Sequence, residues 1–240
     1  MFRAAIVGGT PQPVQFASLL TRAGHTVVAT SSPDAELGEW ARAQSVPHFP
    51  DLGEFGAHCA RATIDYLFSV VNYRMLSPAL LQIPAKLAIN YHDGPLPKYA
   101  GVFVTTWALL NQETTHGVTW HVMEEKADTG DVLKQVSVPI SPTETAASLN
   151  MKCYLAAARS FQTLVKELDS GTYQRTPQNL AARTYFGRQA KLQEIDASWS
   201  VEQRATYRRA LDFGTGPNPF ADRMPPGVAA MLAAEPDGGG

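Results

Sequence analysis

Apolar positions run along this chain in two rhythms. Arg3 to Gly8 and His25 to Thr30 are short β-rich runs, and each is followed by helical spacing, about Pro13 to Ala23 and about Asp34 to Gln44. Strands alternating with helices predict a parallel α/β sheet. Ile64 to Val71 is nearly continuous in apolar residues, as a strand covered on both faces is, and Lys86 to Tyr91 reads as a second buried strand. Val102 to Asn111 suits a helix, while His116 to Met123 and Asp131 to Ile140 read as two further strands in a hairpin-like excursion. A long helix starts near Thr143, a candidate N-cap, and runs to about Leu168, where Asp169-Ser170-Gly171-Thr172 stops it. Thr172 to Arg188 is irregular, and Ser200 with Gln203 three residues later fits a capping box that opens another helix.

These signals divide the chain into a main domain over residues 1–171, a small C-terminal subdomain over 172–226 and a flexible linker over 227–240, the last ending in Pro236-Asp237-Gly238-Gly239-Gly240. With 240 residues, 45% hydrophobic and 18% charged, the chain buries an ordinary core and is too apolar for disorder. Twenty Lys and Arg against 22 Asp and Glu leave a formal charge of -2, with no basic window of the kind a nucleic-acid groove needs. No apolar stretch approaches the roughly 20 residues of a membrane span, and the N-terminus has no signal-peptide pattern, so a cytoplasmic protein is expected. Cys59 and Cys153 lack metal-ligand spacing and sit among alanines on expected helices, which points to buried reduced thiols and to no metal site.

Candidate chemistry lies elsewhere. Gly8-Gly9-Thr10 follows the first strand, but G-x-G-x-x-G is absent, and two glycines there serve a tight strand-to-helix turn. Asn90 and His92 stand two apart at the end of a buried strand and so share one face. An amide and an imidazole then project together into the crevice beyond the strand ends. Ala127-Asp128-Thr129-Gly130-Asp131 adds two carboxylates around a glycine turn, with Asp128 placed to face a pocket and Asp131 to fix the turn. His116 and His121 read as structural, and Tyr99, Trp107 and Trp120 as core aromatics. Lys98 steers an anionic substrate or is merely solvated.

Asn90-x-His92, Leu96-Pro97-Lys98-Tyr99-x-Gly101, His116-Gly117-Val118-Thr119-x-His121 and Asp128-Thr129-Gly130-Asp131-Val132-Leu133 occur in this order. In that order, over most of residues 1–170, the chain resembles the 10-formyltetrahydrofolate-dependent formyltransferases, which include the glycinamide ribonucleotide and methionyl-tRNA enzymes. The resemblance implies a Rossmann-like, mostly parallel sheet with a small C-terminal appendage. It also implies 10-formyltetrahydrofolate as cosubstrate and Asn90, His92 and Asp128 as the catalytic set. Tyr73-Arg74-Met75-Leu76-Ser77-Pro78 is similar to the family loop that receives the pterin ring, largely through main-chain contacts, with Ala127 beside it. Where the family usually has Ser-Leu before Leu-Pro, this chain has Asp93-Gly94-Pro95.

The reaction implied is attack of a neutral amine on the formyl carbon, with negative charge developing on the carbonyl oxygen. Asn90 and His92 would meet that charge with N–H donors. Asp128 would hold His92 and take the proton the amine loses, and a carboxylate beside an imidazole favours the protonated ring.

The segment after residue 171 is short for a tRNA-binding domain. Asn90 to Gly101, Gly117 to Met123, Leu149 to Tyr154 and the aromatic-Gly run Phe213 to Pro219 most resemble formylation domains of nonribosomal peptide synthetase initiation modules. That resemblance implies an aminoacyl group on a carrier protein as acceptor, with an adjacent adenylation domain. Alternatives are a stand-alone enzyme for a small amine such as hydroxyornithine or an amino sugar, a methionyl-tRNA formyltransferase, a folate deformylase, or a non-catalytic folate-binding module.

Overall fold

The computed structural model describes residues 1–195 and 198–234. Its frame is a six-stranded sheet in the order β2-β1-β3-β4-β6-β7, formed by Arg3–Gly8 (β1), Thr26–Ser31 (β2), Tyr66–Val70 (β3), Leu87–His92 (β4), Thr115–Val122 (β6) and Val132–Pro139 (β7). The first four strands in that order are parallel, and β6 and β7 join antiparallel. The expected excursion over 116–140 is therefore part of the main sheet, because β6 pairs directly with β4.

Alternation along the strands sets the two faces. Tyr66, Phe68 and Val70 of β3 and Leu87, Ile89 and Tyr91 of β4 pack in one apolar cluster under Pro13–Arg22 (α1), Ala35–Ala43 (α2) and Ala146–Ser170 (α6). At its centre Trp120 is fully buried against Phe16 and Phe161, and its indole N–H donates to Ser160 Oγ at 3.1 Å. Burying each such ring contributes on the order of 2 kcal/mol. The opposite face, with Leu67 and Ala88, is covered by Leu52–Arg61 (α3) and Pro78–Leu81 (α4). Asn90 and His92 follow Ala88 on that face, at the strand end.

The cap of α6 is Thr145 rather than Thr143. Thr145 Oγ1 accepts Ser148 N at 3.1 Å and Ser148 Oγ accepts Thr145 N at 2.9 Å, whereas three residues past Thr143 stands Ala146, which has nothing to return. Gly171 ends the helix at φ 72°, as its sequence position predicts. Both cysteines are buried free thiols, and burial pushes Cys59 up to about 12.

After α6 the chain folds back onto the main domain. Tyr185–Phe186 (β8) pairs in parallel with Ala100–Gly101 (β5), and Val201–Ala210 (α7) lies against Val104–Leu110 (α5). Tyr99, Val104 and Trp107 share a second apolar cluster with Leu192, Tyr207, Leu211 and Phe220. The expected linker over 227–240 is corrected at its start. Pro226–Ala233 is a helix (α8) whose Val228 and Met231 are buried in that second cluster, and apolar burial on one side holds the helix. Residues 235–240, with the glycine run, lie outside the described residues.

Candidate functional site

Asn90 and His92 lie at the C-terminal end of β4, Asn90 half-buried and His92 buried. His92 is buried, and its Nε2–H donates to Tyr99 O at 2.7 Å. A carbonyl only accepts, so Nε2 carries a hydrogen and Nδ1 is the nitrogen turned to Asp128, 3.8 Å from Oδ1. Asp128 sits on the turn between β6 and β7 at φ 58°, a left-handed conformation that few non-glycine residues adopt. Its Oδ2 accepts Gly101 N at 2.8 Å.

His121, read from the sequence as structural, stands in the same cluster. It is the direct partner of Asn90 in the β4–β6 register, and opposed residues on paired strands share a face. His121 Nδ1–H donates to Val122 O at 2.8 Å, and its Nε2 lies 3.2 Å from Asn90 Nδ2 and 3.6 Å from Asp128 Oδ1, so the neutral ring accepts the Asn90 N–H there and the protonated ring turns an N–H toward the carboxylate. One carboxylate thus lies between two imidazoles. Burial by itself would raise the Asp128 carboxyl, but the charge of His92, the hydrogen bond and charge of His121 and the Gly101 amide outweigh it and hold the group well below the usual carboxylate range.

His116, Tyr99 and Trp107 are committed to the scaffold. His116 Nε2–H donates to Asp93 O at 2.7 Å. Tyr99 OH donates to Glu113 Oε1 at 2.7 Å and accepts Asn111 Nδ2 at 3.0 Å, and Trp107 stacks on Phe186. Asp131 pairs with Arg175 at 3.0 Å, and Lys98 is exposed.

The loop over residues 73–77 follows β3, the parallel strand beside β4, and so leaves the sheet at the same end as Asn90 and His92. Tyr73 and Met75 are exposed at 53% and 73%. Arg74 is drawn inward, donating to Gly8 O, Ser31 O and Pro50 O, so its guanidinium is spent on tying strand ends together. Leu76 packs beneath the loop and Ser77 Oγ accepts Leu80 N to cap α4. Ala127 O accepts Arg183 Nη2 at 3.2 Å. At the first turn a Cβ on Gly8 would meet Pro13 Cγ at 2.1 Å, which accounts for the glycine by close packing.

Solved structures with this fold include an N-formyltransferase from Helicobacter canadensis, in complex with folinic acid and dTDP-3-aminofucose, at 23% identity and TM-score 0.73, with 88% of this chain and 80% of that one covered. A 4-N formyltransferase from Francisella tularensis is 20% identical, with TM-score 0.77 and 90% of each chain covered. Glycinamide ribonucleotide transformylase 1 from Symbiobacterium toebii is 21% identical, with TM-score 0.63, and covers 71% of this chain and 89% of its own. The sequence model of the formyl transferase family matches residues 24–165, more than half of the 240 residues, and the chain belongs to that family.

Proposed function

We propose that this protein transfers a formyl group from a formyl-folate to the amine of an amino sugar, with Asn90, His92 and Asp128 at the reacting atoms. The observation that carries the reading is the convergence of an amide donor, an imidazole and an ionised carboxylate at one strand end, within a formyl transferase chain.

Each group has a distinct part. Asn90 is oriented by His121, since with that ring neutral one N–H of Nδ2 is used on His121 Nε2 and the second is left for a substrate oxygen. His92 in its imidazolium form presents Nδ1–H on the side of Asp128, because Nε2 is fixed on Tyr99 O. Together they donate to the oxygen on which charge develops, at roughly 3 kcal/mol per donor. Asp128, ionised, accepts the proton that the attacking nitrogen sheds, directly or through a water. The exposed Tyr73 and Met75, at the same end of the sheet, offer an apolar and aromatic surface suited to a flat pteridine.

For the acceptor, the support comes from likeness along the whole length. A 4-N formyltransferase from Francisella tularensis and a sugar N-formyltransferase from Shewanella each span about nine tenths of this chain and of their own, so most of the segment after residue 171 has a counterpart in them, whereas the glycinamide ribonucleotide enzyme covers 71% of this chain. This favours the small amine over the carrier-held aminoacyl group that the sequence motifs suggest, and over tRNA. The test is to incubate the protein with 10-formyltetrahydrofolate and, separately, nucleotide-linked 3-amino and 4-amino sugars, hydroxyornithine, an aminoacyl carrier protein and buffer, and to follow product mass. An amino sugar should be formylated with the highest kcat/KM. Preference for the loaded carrier would reverse the acceptor assignment, and formate release with water alone would make the protein a deformylase.

A further inference from the structure

Residues 176–188, an irregular stretch by sequence, touch the loops of the site in succession. Thr176 pairs with Val132 through both backbone N–H···O bonds at 2.9 Å. Gln178 turns inward, and its Nε2 donates to Gly130 O at 2.6 Å and Asp128 O at 3.3 Å. Arg183 Nη2 donates to Ala127 O at 3.2 Å with its guanidinium stacked 4.7 Å over the Tyr185 ring. Thr184 then accepts Tyr99 N on Oγ1 and Ala100 N on its carbonyl, and Phe186 O accepts Val102 N. Arg188 Nη2 ends the run on Tyr73 O at 2.9 Å.

The Asp128 turn needs such support. Its left-handed backbone costs on the order of 1 kcal/mol or more and persists only where the surroundings over-determine it. On one side the turn lies so close to the end of β6 that a Cβ on Gly130 would meet Val122 O at 2.1 Å. On the other side Gln178 holds the carbonyls of Asp128 and Gly130 with one nitrogen, and Arg183 holds that of Ala127.

We propose that residues 176–188 form a clasp across the site and that Gln178 is a positioning residue for Asp128. Gln178 acts on the reaction by keeping the Asp128 carboxylate against Gly101 N, His92 and His121. The proposal rests on the reading of Asp128 as the group that takes the proton.

The test is steady-state kinetics of the full chain across pH for wild type, Gln178→Ala, Gln178→Glu and Asp128→Asn. In Gln178→Ala kcat should fall by about tenfold to a hundredfold, the scale of a 1 Å misplacement, with each KM within about twofold. The acid limb of kcat should move to higher pH, because a loosened Asp128 loses contacts that keep it ionised. Gln178→Glu, which sets a carboxylate against two carbonyls, should fall further. Wild-type kcat and an unmoved limb in the Gln178 variants, beside an inactive Asp128→Asn, would overturn the clasp and leave the role of Asp128 standing. A fall in kcat with an unmoved limb would make Gln178 structural only and also overturn it. Asp128→Asn with wild-type activity would remove the underlying reading. Should Gln178→Ala fail to fold, Arg183→Gln, which loosens the same turn at Ala127 O, is read by the same limb.

Discussion

Asp128 Oδ2 accepts the backbone N–H of Gly101 at 2.8 Å, joining the β6–β7 turn to the two-residue strand β5. The amide is presented at that distance because Gly101 takes φ 105° and lies flat on β8, where a Cβ would meet Phe186 O at 2.1 Å. Asp128 is therefore positioned by a contact that only glycine permits.

Gly101→Ala should both strain the backbone and push β8 away, at a cost of about 1–3 kcal/mol from the conformation before any clash is counted. The thermal midpoint should drop and formyl transfer per folded molecule should fall by at least about tenfold. Circular dichroism melting with a single-turnover assay checks both. An unchanged midpoint and rate would mean that the β5–β8 contact does not set Asp128.

His121 bears on two of the proposed reacting groups through one nitrogen, accepting the Asn90 amide when its ring is neutral and favouring the ionised Asp128 when its ring is protonated. His121→Ala should lower kcat by about tenfold and shift its acid limb upward, since the Asp128 carboxyl loses a partner that favours its charged form. His121→Gln, which keeps a polar group opposite Asn90, should recover part of the loss. A pH–rate profile distinguishes this from a packing defect, which would leave the limb in place.

Some of this site is legible in sequence and some is not, for reasons visible in particular residues. Asn90-x-His92 shows itself because period-two alternation in a buried strand fixes which side chains share a face. His121 is hidden, because its place depends on the antiparallel register with β4, a long-range pairing with no local signal. The clasp is hidden for a related reason: 176–188 has no period, and its bonds go to distant carbonyls. Thr143 and Thr145 are equally good cap types, and only Ser148 chooses between them. Helix α3 is masked by Gly53 and Gly56, yet Asp51 caps it and Phe55 and Cys59 bury its face. Small residues make 227–233 resemble a linker until Val228 and Met231 meet the second core.

Three histidines outside the proposed reacting groups predict how stability varies with pH. Burial lowers His25, His48 and His116 below the ordinary 6.5, and the buried Nδ1 of His116 has no partner among the described residues to receive a second proton. In the unfolded chain each ring protonates near 6.5, while in the folded chain it resists, so stability is full above about pH 6.5 and declines as pH falls toward the folded values. Asp128 has the same sign at lower pH: its contribution is full above the unfolded carboxylate value of about 4 and is lost as pH falls further. Urea midpoints should fall from pH 7.5 to 5.5, and His116→Gln should flatten that slope. A midpoint independent of pH over this range would contradict the burial argument.

The account turns on whether Asn90, His92 and Asp128 act on one developing charge and one proton. Single-turnover formyl transfer from 10-formyltetrahydrofolate to the amine that the acceptor panel selects, for wild type and for folded Asn90→Ala, His92→Ala and Asp128→Ala, measures this directly. Each substitution should slow transfer by about two orders of magnitude or more, and the double variant His92→Ala/Asp128→Ala should lose far less than the product of the single losses, because the groups work as a unit. A folded single variant that keeps near wild-type turnover would contradict the assignment of that residue, and three such variants would place the chemistry elsewhere in the chain.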